Sequence, residues 1–343
     1  MKPAVLVTGA SGFLGRHLGA ACATAGVPVF GLRRTAESRA PVASAATAPI
    51  RLVQGSVLEP EGWCEQPGLG EVGTIVHTAG LVVHSRRDAD EMTQLNVEGT
   101  LQMVRTAHRL GARCVLVSTS GTVGCFRKHD LLADEHAPFA EAAIGEWPYY
   151  ASKVRAERDG RRLAEKLGVP FTVARLPVLL GPEDHARRST SDVARLLESR
   201  LSFVPNGGMH FTDVRDVANA LVTLVRQERM RGVYHFPGTH VPLAAFFRMV
   251  SEVSGQRVEP RHAPGPVLDG LATAAEHARR LSPVRLPTWM PDPVVLEMAS
   301  HYWGLTTLWT GAELGYAPRL PRQTLADTVE WLRSPAVGGR HAA

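Results

Sequence analysis

The sequence predicts an α/β protein with a doubly wound parallel sheet and a smaller C-terminal lobe. Through the first half of the 343 residues, short apolar segments rich in β-branched residues alternate with helical segments, an alternation typical of parallel sheets. A further strand-like segment, "GVYHFPG", follows a stretch of turns and short helices, which indicates that the chain returns to the sheet. Apolar residues at 44% and charged residues at 21% are typical of a soluble globular chain with a large core.

The elements of the predicted sheet follow in order along the chain. The first strand is "AVLVTG", and a helix then extends to about Gly26. Strands at "VPVFGLRR", "IRLVQGS" and "TIVHTAG" precede a helix from about Asp88 to Leu110, which leads into the strand "RCVLVSTS". A helix from Tyr149 to about Leu167 and a strand at "PFTVARLPV" come next. Each strand is a short apolar run bounded by turn residues, whereas each helix is longer and amphipathic.

The segment "VTGASGFLGRHL" places three glycines where the first strand gives way to a helix. At such a junction the backbone turns sharply and the helix amides face an anion, as the pyrophosphate of a dinucleotide requires. A second strand that ends about 20 residues further on favours this interpretation over a tight turn without ligand. The predicted cofactor contacts here are Gly9, Ser11, Gly12, Phe13, Leu14 and Gly15.

The end of the second predicted strand carries Arg33 and Arg34. An acidic residue at this point binds the ribose hydroxyl of NAD, whereas arginine accommodates the extra phosphate of NADP, because its planar donors match a phosphate bidentately. Two solvated surface arginines are the alternative in this arginine-rich chain. We therefore expect NADP, bound as NADPH, with NAD as the second choice.

The segment "PYYASKVRAE" sets two tyrosines beside one of only four lysines in the chain. On a helix, the residues three and four positions before Lys153 share its face, so Tyr150 and Tyr149 are both able to pair with it. A nearby cation favours the ionised form of a phenol, whose ordinary pKa is about 10. The pattern predicts a tyrosine that takes part in proton transfer, and a buried tyrosine of an ordinary amphipathic helix is the alternative.

Three hydroxyl side chains, Ser118, Thr119 and Ser120, follow the fifth predicted strand. Neighbouring residues of a strand point to opposite faces, so Ser118 and Thr119 cannot both reach one pocket. Ser120 is a substitute if the turn begins early. Hydroxyls in such places also cap turns, which is the structural alternative.

With the glycine turn, "NVEGT", "VSTSGTVG", the Y-x-x-x-K of Tyr149 to Lys153 and "RLPVLLGP", the sequence resembles the extended short-chain dehydrogenase/reductase superfamily, which is also the NAD-dependent epimerase/dehydratase superfamily. The segments "YYASK", "LLGPED", "GGMHFTDVRDVANAL" and "ELGYAPRL" are similar to its branch of dihydroflavonol-reductase-like and hydroxysteroid-dehydrogenase-like enzymes. The resemblance implies a Rossmann fold over residues 1–180, completed by about 213–238. It also implies a substrate-binding lobe over 181–212 and 239–333, and we expect a flexible tail at 334–343.

The resemblance also implies the roles of individual residues. It selects Tyr149 as the acid that protonates a carbonyl oxygen as hydride arrives, and Lys153 as the residue that binds the nicotinamide ribose and stabilises the phenolate. It favours Thr119, with Ser120 as the substitute, to orient the carbonyl. Further implied cofactor contacts are Ser56, Val57, Thr78, Ala79, Gly80, Asn96, Pro177 and Val178, and implied substrate contacts are His84, Thr119, Ser120, Leu180 and Met209.

The same scaffold supports three chemistries, and particular residues discriminate among them. Dehydratases need an acid pair directly after the catalytic hydroxyl, where this chain has Ser120 and Gly121. Epimerases retain NAD and would benefit from an acidic residue in place of Arg33 and Arg34. We therefore expect an NADPH-dependent reductase of a small ketone or aldehyde. A nucleotide-sugar epimerase with bound NAD and a non-catalytic NADP-sensing protein are the alternatives.

Charge and cysteine usage exclude other classes. The net charge of +5 comes with scattered arginines and no long basic run, so we expect no nucleic-acid partner. The four cysteines form no C-x-x-C pair, which predicts neither a disulfide framework nor a metal site. No segment reaches the ~18 uncharged apolar residues of a membrane span, so we expect a cytoplasmic enzyme. The resemblance implies a homodimer through the helices near Asp88 and Tyr149.

Overall fold

The computed structural model describes residues 3–35, 50–86, 89–198, 203–256, 261–262, 270, 273–274 and 293–334. Fourteen strands lie in these ranges. They are β1 (Ala4–Thr8), β2 (Val29–Arg33), β3 (Ile50–Gln54), β4 (Val72–His77), β5 (Arg113–Thr119), β6 (Cys125–Phe126), β7 (Phe171–Leu176), β8 (Val178–Leu180), β9 (Phe203–Val204), β10 (Gly208–Asp213), β11 (Val233–His235), β12 (Thr239–Pro242), β13 (Arg261–His262) and β14 (Tyr302–Trp303).

The helices of the described residues separate most of these strands. They are α1 (Phe13–Thr24), α2 (Ala89–Leu110), α3 (Glu141–Ile144), α4 (Pro148–Leu167), α5 (Ser191–Leu197), α6 (Val214–Arg226), α7 (Leu243–Ser254), α8 (Pro293–Met298), α9 (Thr310–Leu314) and α10 (Pro321–Arg333), with 3₁₀ helices at Pro60–Gly62, Leu69–Glu71 and Ser120–Thr122. None of the described helices combines the length and apolar character needed to cross a membrane.

Seven strands form the central sheet in the order β3-β2-β1-β4-β5-β7-β11, and all neighbours are parallel. The order reverses between β1 and β4. In open α/β sheets, ligands bind beyond the carboxyl ends of the strands at this switch point. The predicted doubly wound parallel sheet is therefore confirmed, and its geometry directs attention to the loops that follow β1 and β4.

Helices cover both faces of this sheet. Since alternate residues of a strand point to opposite faces, Val5 and Val7 pack in one core cluster with α1 and α6, whereas Ala4 and Leu6 pack in a second cluster with α2. Helix α2 also packs against α4. The helix that carries the paired tyrosines is thereby held against the face of the sheet beside β5 and β7.

Local sequence signals determine where the functional helix begins and ends. Helix α4 starts with Pro148, whose missing N–H costs nothing in the first turn, and it ends at Gly168, which adopts the left-handed conformation with φ of 70°. Helix α6 starts where the side chain of Asp213 accepts the backbone N–H of Arg215 at 2.9 Å. These boundaries agree with the sequence prediction to within a residue at Tyr149 and Leu167.

The strand predicted at "PFTVARLPV" is divided in the structure. Strand β7 ends at Leu176 in the central sheet, and β8 begins at Val178 in a separate sheet of order β12-β10-β8. Pro177 lies between them and has no backbone N–H to continue the ladder. Around this smaller sheet, residues of α5, α7 and α10 form a third apolar cluster. The proposed domain boundaries stay a prediction, and tail residues 335–343 lie outside the described residues.

We predict that Leu6→Ala destabilises the fold by about 2–5 kcal/mol, because Leu6 is 0% exposed in a central strand and its truncation leaves a cavity. Leu320→Ala is the matched control, since Leu320 is 75% exposed and its loss should change stability little. Chemical denaturation measures both. Equal losses for the two variants would contradict the placement of Leu6 in the core.

Candidate active site

The glycine turn lies between β1 and α1, and it leaves no room for a side chain at Gly9 or Gly15. Gly9 has a φ of +65°, and its carbonyl accepts the N–H of Gly12 at 2.8 Å. A Cβ on Gly9 would lie 2.9 Å from the Cα and N of Ala79, and one on Gly15 would lie 2.2 Å from the Gly9 oxygen. No side-chain hydrogen bond caps α1 at Gly12 among the described residues. The first amides of α1 are therefore available to an anion, as a dinucleotide pyrophosphate requires.

The predicted cofactor contacts of this turn differ in exposure. Gly12 is exposed, Gly9, Ser11 and Phe13 are partly exposed, and Leu14 and Gly15 are buried. A ligand can therefore reach the turn between Gly9 and Phe13, whereas Leu14 and Gly15 pack in the interior below it.

Hydrogen bonds fix the loop after β4 beside the glycine turn. Thr78 Oγ1 donates to the Thr8 carbonyl at 2.7 Å, and the Ala79 N–H donates to Thr8 Oγ1 at 3.2 Å. Thr8 Oγ1 also lies 2.8 Å from His77 Nδ1. Burial lowers the pKa of His77 to about 3, and the charge of Lys153 acts in the same direction. His77 is therefore a neutral support for the turn.

The ends of β2 and β3 carry the residues predicted to bind the adenosine half of the cofactor. Arg33 is the last residue of β2 and is partly exposed, and Arg34 is exposed. Ser56 Oγ accepts the N–H of Leu58 at 3.1 Å, and the Ser56 carbonyl accepts the indole N–H of Trp63 at 2.8 Å. Ser56 thus stabilises its own turn, and its hydroxyl keeps a proton and a second lone pair for a further hydrogen bond. Val57 is buried beside it.

The two tyrosines of α4 have different surroundings. The phenol of Tyr149 lies near enough to the side chain of Thr119 for that side chain to lower its pKa. Tyr150 stacks on Trp303 with ring centroids 5.1 Å apart, and a Cβ on Gly121 would lie 2.0 Å from its ring. Tyr150 is therefore a core residue, and Tyr149 is the one that faces the hydroxyl.

The pKa of Tyr149 is raised, whereas a neighbouring cation alone would lower it. Burial raises the pKa of Tyr149 to about 12, and the side chain of Thr119 acts in the opposite direction. The ammonium of Lys153 donates to the Val117 carbonyl at 2.9 Å. Desolvation of the phenolate therefore outweighs any help from the lysine in this structure, and Tyr149 holds its proton at neutral pH.

Lys153 lies in the interior beside the predicted cofactor loop. It is 8% exposed, and burial lowers its pKa to about 8, while the charge of Glu157 raises it. A Cβ on Gly80 would lie 3.8 Å from Lys153 Nζ. The exposed Gly80 and the ammonium are therefore neighbours, as a shared cofactor would require.

The three candidate hydroxyls have separate partners. Ser118 donates to the carboxylate of Glu157, and Ser118 is 4% exposed. Thr119 Oγ1 accepts the Gly121 N–H at 3.3 Å and so caps the following 3₁₀ helix. Ser120 is 5% exposed. Among the three, Thr119 is the one whose side chain acts on the pKa of Tyr149.

Asn96 joins the loop after β4 to the helix of the tyrosines. Its Nδ2 donates to the Leu81 carbonyl and to Ser152 Oγ, both at 3.0 Å, and its Oδ1 accepts the Leu81 N–H at 2.9 Å. Ser152 Oγ in turn donates to the Tyr149 carbonyl at 2.6 Å. Asn96, predicted as a cofactor contact, therefore holds the elements around the site, and Ser152 is a support that the sequence reasoning missed.

The predicted substrate contacts are only partly brought together. The His84 ring meets Tyr149 edge-on, with centroids 6.2 Å apart. Pro177 is buried, and Val178, predicted to lie near the nicotinamide, is 39% exposed. Leu180 and Met209, at 1% and 9% exposed, pack in the apolar cluster of the smaller sheet. Their roles in binding stay predictions. No group of residues that could hold a metal ion occurs in the described ranges.

The fold and the site together define a class of protein. A glycine turn at the switch point lies beside a phenol, a hydroxyl and a buried ammonium, which is the machinery of an NAD(P)-dependent oxidoreductase acting on carbonyl or hydroxyl groups. The profile of the "NAD dependent epimerase/dehydratase family" matches residues 5–235. The chain belongs to this family, within the extended short-chain dehydrogenase/reductase superfamily.

Known proteins are similar over nearly the whole chain. Sterol demethylase protein B of Methylococcus capsulatus is 28% identical over 340 residues, which cover 96% of this chain and 98% of that protein. The 4-hydroxy-2-methyl-3-oxo-4-farnesyl-3,4-dihydroquinoline-1-oxide ketoreductase of Stigmatella aurantiaca is 29% identical over 340 residues, covering 94% of each. The crystal structure of gox2253 superposes with a TM-score of 0.80 at 25% identity, covering 96% of this chain and 98% of that one.

We predict that Gly9→Ala weakens binding of a nicotinamide dinucleotide by about tenfold or more. A left-handed conformation costs an alanine about 1–2 kcal/mol, and the new methyl would contact the backbone of Ala79 at 2.9 Å. Fluorescence titration with the reduced cofactor measures the Kd. Gly62→Ala is the control, because nothing lies within 4 Å of that position. An unchanged Kd in Gly9→Ala would remove the turn from the cofactor site.

Proposed function

We propose that the protein is an NADPH-dependent reductase that transfers hydride to the ketone or aldehyde carbonyl of a small molecule. The observation that carries this proposal is that the side chain of Thr119 acts on the phenol of Tyr149, while Lys153, one helical turn further along, donates to the Val117 carbonyl at 2.9 Å. A carbonyl oxygen placed against both hydroxyls accepts one hydrogen bond that orients it and one proton when it is reduced. The bound nicotinamide supplies the hydride.

The protonation states of the site suit reduction. Tyr149, with a pKa raised to about 12 by burial, carries its proton at neutral pH and is ready to donate it. The adjacent Lys153, with a pKa lowered by burial to about 8, is still mostly an ammonium at pH 7. Its charge favours the phenolate that remains after the proton leaves. Thr119, fixed as the cap of a 3₁₀ helix, orients the carbonyl.

Reduction is favoured over the other reactions of the family by two observations. A Cβ at position 121 would lie 2.0 Å from the ring of Tyr150, so this position cannot hold an acidic side chain. Elimination of water would require such an acid. Arg33 and Arg34 follow β2, where a phosphate of NADPH would be accommodated. A relative named as a ketoreductase supports the same choice. The alternatives are an epimerase that retains NAD and a sensor that binds NADP without turnover.

The substrate that we propose is largely apolar. Val82, 42% exposed, belongs to the loop that follows β4, and Val178, 39% exposed, is the first residue of β8. The charge of Arg86 in the loop after β4 is committed to Glu297 at 3.0 Å. The names of two relatives include the words sterol and farnesyl, which denote apolar groups. A cytoplasmic homodimer through α2 and α4 completes the proposal from the family resemblance.

Incubation of the protein with NADPH and a panel of carbonyl compounds and nucleotide sugars tests the function. A reductase oxidises NADPH in proportion to the alcohol formed from an apolar ketone or aldehyde. An epimerase interconverts a nucleotide sugar with no net change in the cofactor. A sensor binds NADPH and converts nothing, and either of the last two results would overturn the proposal.

We predict that Tyr149→Phe lowers kcat by about 10²–10⁴-fold, because the proton donor is lost, and leaves the Kd for NADPH nearly unchanged. Tyr150→Phe is the matched control, since its ring packs on Trp303 and no hydrogen bond of its hydroxyl is part of the proposed chemistry. It should retain most of the activity. Comparable losses in both variants would show that the tyrosines are misassigned.

We predict that Arg33→Asp weakens binding of NADPH by about 10–100-fold, the value of one charge-assisted hydrogen bond, and changes the Kd for NADH much less. Arg162→Asp, at an exposed position near the far end of α4, is the control and should alter neither. Titrations with the two cofactors give the four constants. Equal effects on NADPH and NADH would refute the assignment of the phosphate.

A further inference from the structure

A buried ion pair lies beneath Lys153, and the chemistry proposed above does not use it. Glu157 and Arg175 have side chains that are 2% and 7% exposed, and Arg175 Nη2 contacts Glu157 Oε2 at 2.7 Å. Arg175 Nε approaches the same oxygen at 3.1 Å. Because a buried charge is costly unless it is paired and hydrogen-bonded, both contacts fix the orientation of the carboxylate.

Arg175 is itself held from two further sides. Its Nη1 lies 3.3 Å from His235 Nε2 on the neighbouring strand β11, and its guanidinium lies over the ring of Phe139, 5.3 Å from the centroid. The guanidinium therefore has little freedom, and it holds Glu157 where β7, β11 and α4 meet.

Glu157 connects the catalytic helix to the end of strand β5. It accepts the hydroxyl of Ser118, while Lys153, one helical turn earlier, donates to the carbonyl of Val117 at 2.9 Å. Thr119, which follows Ser118 in the strand, lies near Tyr149. Tyr149 is one helical turn before Lys153. Residues 149, 153 and 157 of α4, at helical spacing, thus interact with three consecutive residues of β5, and Glu157 is the one farthest along the helix from Tyr149.

We propose that Glu157, clamped by Arg175, is a positioning residue that holds Lys153 and the end of β5 in the arrangement required for proton transfer. The inference rests on the proposed reductase function. Glu157 touches none of the proposed reacting groups, since its partners are Ser118 and Arg175. It acts through Lys153 and Thr119.

The charges around Lys153 make the role of Glu157 measurable. Glu157 raises the pKa of Lys153, against the lowering by burial to about 8. Tyr149 from the same helix and His77 from β4 also face this region, and both are uncharged at neutral pH. Arg175 from β7 and His235 from β11 lie behind Glu157. Glu157 is thus the anion that opposes deprotonation of the lysine.

The experiment uses the double variant Glu157→Gln, Arg175→Gln, because removal of one partner alone would leave a buried charge unpaired and endanger folding. NMR titration of the lysine side chains follows Lys153 directly, since the chain has four lysines and Lys153→Arg identifies the signal. We expect the midpoint of Lys153 to fall, because the variant removes the anion that raises its pKa. A fall of about one pH unit would lower the protonated fraction at pH 8 from about one half to about one tenth and kcat about fivefold, with the Kd for NADPH unchanged.

Two single variants separate the parts of the proposal. Ser118→Ala leaves both charges in place and should lower kcat without moving the Lys153 midpoint. Asp216→Asn removes a carboxylate paired with Arg319 at 2.7 Å on α6 and is the control. It should cost stability and leave both the midpoint and the alkaline limb of the kcat profile unchanged.

The proposal is overturned if the folded double variant keeps the midpoint of Lys153 and the alkaline limb of the wild-type protein, or if Ser118→Ala keeps the wild-type kcat. The Lys153 titration needs no substrate. If the wild-type protein oxidised no NADPH with any carbonyl compound, the proposed reductase function would fail, while the titration would still decide whether Glu157 controls the lysine.

Discussion

The docking of α4 on the end of β5 is the interaction on which the candidate site depends. Lys153 donates to Val117, and Tyr149 meets Thr119 one turn away. A slip of the helix by one residue would rotate each side chain by about 100° and would break both contacts together. The chemistry of the site is therefore a consequence of how one helix is registered against one strand.

The remaining parts of the site are arranged around that register. Asn96 holds the loop after β4 and donates to Ser152 of α4. The loop, which carries His84, is thereby fixed in position relative to Tyr149. The same loop is tied to Thr8 at the start of the glycine turn. In our proposal, a dinucleotide bound along the turn extends past Gly80 towards Lys153.

Helix α8 closes the arrangement from the C-terminal part of the chain. Glu297 accepts the indole N–H of Trp147 at 2.9 Å and a guanidinium N–H of Arg86 at 3.0 Å. Trp147 precedes the first turn of α4, and Arg86 belongs to the loop with His84. One carboxylate thus joins the start of α4 to the loop proposed to line the substrate.

The sequence predicted those features that short segments determine. Apolar runs and glycine spacing located the strands and the turn at Gly9, because local sterics decide both. Helical spacing left Tyr149 and Tyr150 equivalent. The distinction depends on Gly121 and Trp303, which reach Tyr150 only in the folded chain. The pairing of Glu157 with Arg175 joins two different elements in the same way.

The electrostatic expectation failed for a related reason. Sequence spacing placed a cation near Tyr149 and so suggested a lowered pKa, whereas burial raises that pKa to about 12. The degree of burial follows from packing of several elements, and no local pattern reports it. The choice between NADPH and NADH, and the substrate contacts at Leu180 and Met209, stay predictions.

A crystal structure of the protein with NADPH bound would show whether the register of α4 on β5 builds the proposed site. We expect the nicotinamide ring to lie beside Tyr149 and the Lys153 ammonium to reach the hydroxyls of the adjoining ribose at about 3 Å. The phenol of Tyr149 should still face Thr119. A cofactor bound elsewhere, or a phenol turned away from the ring and enclosed by packing, would contradict the proposal.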